Sequence, residues 1–71
     1  MRLLNPDTSS KRYDGCDRLW DENGDDVLIQ LRPASAADHR AIHPNYVPDG
    51  EILGRVSKAV LLEAARNLGL S

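Results

Sequence analysis

The clearest hydrophobic pattern in the chain is a β-prone run at residues 27–31, which read Val-Leu-Ile-Gln-Leu. Asn23-Gly24 lies just before this run. Asn and Gly accept the positive φ that both central residues of a type I′ turn require, and this pair between β-prone flanks is a strong hairpin signal. The pattern therefore predicts a β-hairpin with strands near residues 11–21 and 26–32.

Polar and turn-forming residues divide the chain on either side of this hairpin. Residues 1–10 predict an irregular lead-in with a short strand near residues 2–4. Pro33 is predicted to end the second hairpin strand because proline has no N–H to donate to a ladder. Ser35-Ala36-Ala37-Asp38 has the form of a capping box, which predicts a short helix at 35–43 that stops before Pro44.

The last third of the chain predicts a strand followed by a helix. Residues 51–56 fit either a strand or the start of one long helix, and Gly54 favours the strand because glycine destabilises a helix interior by ~1 kcal/mol. Residues 57–69 predict a helix that ends at an αL cap formed by Gly69 and Leu70. The helix is expected to pack against the sheet through its apolar side, which comprises Val60, Leu61, Ala64, Ala65 and Leu68.

Length and composition limit the architecture and the setting of the protein. Seventy-one residues fit a single domain, residues 1–71, and the elements together predict a small α+β fold: a twisted antiparallel hairpin or sheet with the C-terminal helix packed on one face. Phenylalanine is absent, so the core is expected to consist of Leu, Ile, Val and Ala. No run is long and apolar enough for a membrane span. The single cysteine, Cys16, cannot form an internal disulfide, which favours the cytoplasm.

Charge is distributed unevenly along the chain. A net charge of −2 provides no overall field for nucleic acid or anionic membranes, so direct binding to either is not expected. Acidic residues are concentrated between positions 14 and 26, at the predicted hairpin. This acidic hairpin is the candidate partner-binding surface, and its residues are Asp17, Trp20, Asp21, Glu22, Asp25 and Asp26.

No candidate for catalytic or metal chemistry emerges from the residue spacing. His39 and His43 are four residues apart on the predicted short helix, with Asp38 nearby and Cys16 as a conceivable third ligand. Zinc needs three or four convergent ligands, so we predict no metal site and no cofactor. The acidic run around Gly24 lacks the glycine and glutamate positions of a calcium-binding EF-hand loop.

Several short motifs together resemble the last third of the LexA-type self-cleaving repressor domain. They are Lys11-Arg12-Tyr13, the run from Val27 to Pro33, His43-Pro44-Asn45-Tyr46-Val47-Pro48 and Glu51-Ile52-Leu53-Gly54-Arg55-Val56. The resemblance covers residues 11–56. It implies a β-rich dimerisation fold with a Ser/Lys dyad, in which Lys11 matches the lysine.

The serine half of that dyad has no counterpart in this chain. Ser9 and Ser10 directly precede Lys11, and neighbouring strand residues point to opposite faces, so neither is a suitable partner. We therefore predict no peptidase activity and, more generally, no enzyme. The resemblance and the residues leave two predictions open. The first is a prophage or bacterial regulatory protein that contacts a repressor-like protein or a second copy of itself. The second is a phage-encoded inhibitor of the anti-CRISPR type that places its acidic hairpin on a host nuclease complex.

Overall fold

The computed structural model describes residues 1–9, 17–42 and 47–70. This part of the chain forms two antiparallel sheets and two helices, and the C-terminal helix packs on the larger sheet. The elements are β1 (Arg2–Leu3), β2 (Arg18–Asp21), β3 (Val27–Gln30), β4 (Arg32–Pro33), α1 (Ala36–Ala41), β5 (Gly54–Arg55) and α2 (Lys58–Asn67). The predicted small α+β fold is confirmed.

Strands β2 and β3 form a hairpin, and β1 pairs with the other edge of β2. Asp21 lies opposite Val27, so residues 22–26 connect the two strands. Asn23 is left-handed with a φ of 64°, whereas Gly24 does not have a positive φ. The predicted type I′ turn is therefore wrong. The Asp21 carboxylate accepts the N–H of Asn23 at 2.8 Å, and this side-chain turn bends the longer loop at residue 23 instead.

The predicted second hairpin strand is shared between two sheets. β3 stops before β4 begins, and β4 pairs with β5. The strand that pairs with β2 already ends at Gln30, and Pro33 is the last residue of β4, opposite Gly54. The N–H of Ala34 donates to the carbonyl of Leu53 at 3.2 Å. Along an antiparallel pair, every second residue directs its backbone N–H and C=O groups to the neighbouring strand. The backbone groups of Arg32 and Ala34 therefore face β5, and Pro33, which lies between them, needs no N–H for the ladder.

The structure has a short strand within residues 51–56 and not the start of one long helix. Helix α2 begins only at Lys58. An added Cβ on Gly54 would lie 3.0 Å from the carbonyl oxygen of Arg32 and would collide with the side chain of Leu31. The absence of a side chain at Gly54 therefore allows the close approach of β4 and β5.

Helix α1 begins with the predicted capping box. The N–H of Ser35 donates to the Asp38 carboxylate at 2.9 Å, and the N–H of Asp38 donates to Ser35 Oγ at 3.1 Å. The helix ends at Ala41, two residues before the predicted end, since Ile42 is extended with φ −86° and ψ 148°. A helix cannot continue regularly through the nearby Pro44, which has no N–H for the helical hydrogen bond.

The core lies between α2 and the larger sheet. Its buried hydrophobic residues are aliphatic, as expected, and the half-buried Val27, Val56 and Leu68 pack around them. The buried set is Leu4, Leu19, Val60 and Ala64. The prediction that Leu61 packs on the sheet is wrong, because its side chain is 51% exposed. Positions 60, 64 and 68 are four residues apart and form the contacting stripe, and residue 61 is rotated about 100° away from it.

The end of α2 has the predicted αL cap. Gly69 has a φ of 77°. Its N–H donates to the carbonyl of Arg66 at 3.0 Å, and the N–H of Leu70 donates to the carbonyl of Ala65 at 2.9 Å. These two bonds form a Schellman motif, which turns the chain back beside the end of the helix.

The first residues of the chain are part of the core and not only an irregular lead-in. Leu4 and Asn5 are both fully buried. The side-chain amide of Asn5 donates to the carbonyl of Asp17 at 3.0 Å, and the N–H of Leu19 donates to Asn5 Oδ1 at 3.0 Å. The Asn5 side chain therefore continues the pairing on this edge of β2 after β1 has ended.

Candidate protein-binding surface

The loop between β2 and β3 carries three exposed carboxylates. They belong to Glu22, Asp25 and Asp26. None of the three forms an ion pair with any residue of the described ranges. Three like charges in one short loop produce a negative electrostatic potential there, which a positively charged partner would neutralise.

Asp21, at the end of β2, contributes mainly to the fold. Its carboxylate accepts a hydrogen bond from the N–H of Asn23 and pairs with Arg2 at 3.4 Å, and its side chain is only 16% exposed. Arg2 also donates to the carbonyl of Asn67 at 3.2 Å, at the end of α2. This ion pair therefore joins β1 and the hairpin to the C-terminal end of α2.

Asp17 does not belong to the surface that the sequence predicted. Its side chain is 4% exposed. The carboxylate accepts two hydrogen bonds from Arg32 and one from the backbone N–H of Ser57. Hydrogen bonding from Arg32 lowers the pKa of Asp17, and the bond from Ser57 acts in the same direction against the effect of burial. Asp17 is a buried structural carboxylate and is not available to a partner.

Trp20 lies in the middle of β2 and is half-buried. It stands opposite Leu3 on one side and Leu28 on the other. Directly opposite residues share a face of a sheet, and adjacent residues alternate between faces. Since the buried Leu19 faces α2, these three residues form an apolar row on the face that α2 does not cover.

The three exposed carboxylates border a cleft between the hairpin loop and the end of α2. Its volume is about 690 Å³, within the range of roughly 300–1,000 Å³ typical of ligand sites. We call it the acidic cleft. It is lined by Asp21, Glu22, Gly24, Asp25, Asp26, Val27, Leu28, Leu68 and Leu70.

The acidic side of this cleft was predictable from the sequence, but its apolar side was not. Leu68 and Leu70 are more than forty residues away from the hairpin loop in the chain, and they reach it because α2 crosses the sheet and ends beside the loop. The Schellman motif was a usable signal for the position of Leu70. Nothing local indicated that the helix would end at the hairpin.

A second open cleft, of about 620 Å³, lies beside the smaller sheet. Its lining includes Leu31, Pro33 and His39, together with residues 47–53. His39 is half-buried there, while its candidate partners His43 and Cys16 lie outside the described residues. Within residues 1–9, 17–42 and 47–70 no three His, Cys, Asp or Glu side chains are grouped so that they could hold a metal ion.

Comparisons with models of protein families, with curated proteins and with solved structures found no match. Lys11, which the LexA resemblance assigns to a Ser/Lys dyad, lies outside the described residues. Neither described helix has the length and apolar character required to cross a bilayer.

Proposed function

We propose that the protein is a non-enzymatic binding protein that acts in the cytoplasm by contact with a basic surface of another protein. The acidic cleft is the observation that supports this proposal. Glu22, Asp25 and Asp26 provide negative charge that no ion pair within residues 1–9, 17–42 and 47–70 neutralises, and Leu68 and Leu70 provide apolar area next to it. Protein interfaces combine an apolar centre with a polar rim, and complementary charge accelerates the encounter of the partners.

The chemistry of the cleft favours an inhibitor of a nucleic-acid enzyme, such as a phage-encoded protein of the anti-CRISPR type. Enzymes that hold DNA or RNA present lysine and arginine to the phosphates. A small acidic protein with an apolar contact area is complementary to such a channel. Because the chain itself is acidic overall, with a net charge of −2, direct binding to nucleic acid is not part of the proposal.

The proposal is tested by capturing a partner from the host and measuring its binding as a purified protein. In the test variant, Glu22→Gln, Asp25→Asn and Asp26→Asn remove three charges at the cleft. In the matched control, Glu51→Gln, Asp7→Asn and Asp49→Asn remove three exposed charges elsewhere. We expect the test variant to associate more slowly than the control. We also expect the association rate of the wild type to fall with salt, because ions screen charges beyond about 8 Å at physiological ionic strength.

Equal association rates for the two triple variants at low and high salt would refute the acidic cleft as the binding surface. Both variants are first compared with the wild type in thermal unfolding. The three cleft carboxylates form no ion pair among the described residues, so we expect little change in stability.

A second candidate function is that of a regulatory protein that dimerises, as the resemblance to the LexA-type domain implies. The exposed leucines of α2 favour it. Leu61 and Leu62 are 51% and 47% exposed and adjacent on the helix surface. Apolar side chains grouped on a surface mark interaction sites.

Sedimentation equilibrium distinguishes this candidate from the first. A dimer held by α2 should dissociate in the variant Leu61→Glu/Leu62→Glu and persist in Ile52→Glu, which alters a side chain that is 79% exposed elsewhere. A wild-type protein that sediments as a monomer over the accessible concentration range would exclude this function.

A further inference from the structure

The outer edge of β3 is not paired with another strand in the described part of the chain. The larger sheet has the order β1-β2-β3, so β3 is an edge strand. Two of its side chains, Leu28 and Ile29, are each 44% exposed although both are large and apolar. The edge therefore offers backbone groups and apolar side chains at the same place.

The hydrogen bonds of Leu19 establish which groups of β3 face outward. The N–H of Leu4 donates to the carbonyl of Leu19 at 2.7 Å, and the N–H of Leu19 donates to Asn5 Oδ1 at 3.0 Å. Both backbone groups of Leu19 thus face β1. Because the direction alternates along a strand, the backbone groups of Arg18 and Trp20 face β3.

The register between β2 and β3 shows which residues of β3 bond to β2. Arg18 stands opposite Gln30, and Trp20 stands opposite Leu28, so Leu28 and Gln30 bond to β2. The N–H and C=O groups of Val27 and Ile29 point away from β2. Among the described residues β3 pairs with β2 alone, so these outward groups have no strand partner there.

The sequence of this four-residue edge strand lacks several of the features by which sheets avoid pairing with other chains. Natural edge strands carry lysine, proline or a bulge, which make pairing unfavourable. Val27–Gln30 contains neither lysine nor proline and pairs with β2 in an uninterrupted register. Next to its N-terminal end lie Asp25 and Asp26, which border the acidic cleft.

We propose that an extended segment of the partner protein adds to β3 as a further strand, with lysine or arginine next to Asp25 and Asp26 and apolar residues at alternate positions. The backbone groups of Val27 and Ile29 would supply the hydrogen bonds, and Leu28 would supply apolar contact. Strand addition to an open sheet edge gives affinity through the main chain and selectivity through alternate side chains. This inference rests on the proposed function and specifies the conformation and chemistry of the partner segment.

The test uses a synthetic peptide of alternating valine and lysine with blocked ends. A second peptide of the same sequence, with its central backbone amides N-methylated, keeps every charge and side chain but cannot pair as a strand. Binding of both to the intact protein is measured by calorimetry, and amide hydrogen exchange is followed by NMR. We expect the first peptide to slow exchange at Val27 and Ile29 and to leave Leu28, already bonded to β2, nearly unchanged. The methylated peptide should bind at least about tenfold more weakly, since several backbone hydrogen bonds are lost.

The variant Ile29→Pro provides an independent check. The N–H of Ile29 faces outward, so proline there removes no bond to β2, and proline is tolerated at such edge positions. We expect it to weaken binding of the unmodified peptide about tenfold or more. If this variant does not fold, the two peptides on the wild-type protein still decide the question.

The possible outcomes separate this inference from the proposed function. Failure of the unmodified peptide to bind, or equal binding of both peptides with unchanged exchange at Val27 and Ile29, would overturn strand addition. Equal binding that weakens in the Glu22→Gln/Asp25→Asn/Asp26→Asn variant would leave the basic-partner proposal intact. The charge variants and the captured partner test that proposal by themselves.

Discussion

The carboxylate of Asp17 accepts two hydrogen bonds from the guanidinium of Arg32, one from Nε at 3.1 Å and one from Nη2 at 3.0 Å. The arginine side chain is 54% exposed, while that of Asp17 is 4% exposed. The same carboxylate accepts the N–H of Ser57 at 2.6 Å, directly before α2. One buried side chain therefore connects the larger sheet, the smaller sheet and the start of the C-terminal helix.

Replacing Asp17 should destabilise the protein more than replacing an exposed aspartate. Asp17→Asn keeps one acceptor oxygen but loses the charge and at least one of three hydrogen bonds. We expect a loss of about 1–3 kcal/mol in the free energy of unfolding, measured by urea titration. Asp49→Asn, at an exposed turn position, is the matched control. The same unfolding midpoint for both variants would contradict the structural role of Asp17.

The stability of the protein should decrease in acid. Hydrogen bonding from Arg32 lowers the pKa of Asp17, and hydrogen bonding from Arg55 lowers the pKa of Asp38. An unfolded Asp titrates near pH ~3.9, so in acid the unfolded state binds more protons than the folded state. The stabilisation should be fully present above about pH 5 and lost as the pH falls through about 4 towards the folded pKa values. Thermal unfolding measured from about pH 2 to about pH 7 tests this dependence.

Asp17→Asn should show a shallower dependence on acid than the wild type, because one of the groups with a lowered pKa is gone. A parallel dependence in the variant and the wild type would assign the acid sensitivity to other carboxyls. Glu63 is one of them. Burial opposes its ionisation, but hydrogen bonds from Thr8 and the N–H of Asp7 outweigh this effect and lower its pKa.

Asn5 should tolerate no substitution that loses either of its two hydrogen-bonding groups. It is fully buried, donates to the carbonyl of Asp17 and accepts the N–H of Leu19. Asn5→Ala leaves both backbone groups without a partner, for which we expect a loss of about 2 kcal/mol or more. Asn5→Asp should also destabilise, since a carboxylate has no donor for the Asp17 carbonyl. Chemical denaturation measures both, and a loss below about 0.5 kcal/mol in both would contradict this role.

The hairpin loop should be sensitive at Asn23 and tolerant at Gly24. Asn23 has a φ of 64°, a conformation that is unfavourable for β-branched residues. Asn23→Val should therefore destabilise by about 1 kcal/mol, whereas Asn23→Gly should be nearly neutral. An added Cβ on Gly24 meets no atom within 4 Å, so Gly24→Ala is the control. A loss of stability in Gly24→Ala as large as that in Asn23→Val would instead favour the type I′ turn, which requires a positive φ at both residues.

Gly54→Ala should destabilise because the smaller sheet has no space for a Cβ. The carbonyl oxygen of Arg32, 3.0 Å from that position, belongs to the backbone and cannot move independently of β4, and the side chain of Leu31 would have to rotate away. Forcing extra atoms into a packed site costs about 1–3 kcal/mol. Thermal unfolding compares this variant with Gly24→Ala. Equal melting temperatures would show that β4 and β5 separate easily.

Those features of the protein that depend on neighbouring residues were predictable from the sequence. The capping box of α1 joins Ser35 to Asp38, and the Schellman motif lies within six residues at Gly69. Both are formed by hydrogen bonds that close within about two turns of chain, so the residue types specify them. The β-prone run beside Asn23 gave the hairpin for the same reason.

The sequence could not show which polar residues become buried. Asp17 belongs to the same acidic stretch as the exposed Asp25. It is buried because Arg32 and Ser57, fifteen and forty residues away, provide donors that replace water. Likewise, Asn5 reads as a turn former and becomes a core residue only through its bonds to β2.

The sequence by itself determined the two helices, the hairpin, the acidic loop and the aliphatic character of the hydrophobic core, because each depends on local conformation or on composition. The tertiary structure decided how these parts meet. It placed the end of α2 beside the hairpin loop, which created the acidic cleft, and in the part of the chain that the structure describes it left Val27 and Ile29 on an edge with no neighbouring strand. Contacts between residues far apart in the sequence depend on the packing of the whole chain. A local sequence pattern does not show which distant residue will contact a given side chain.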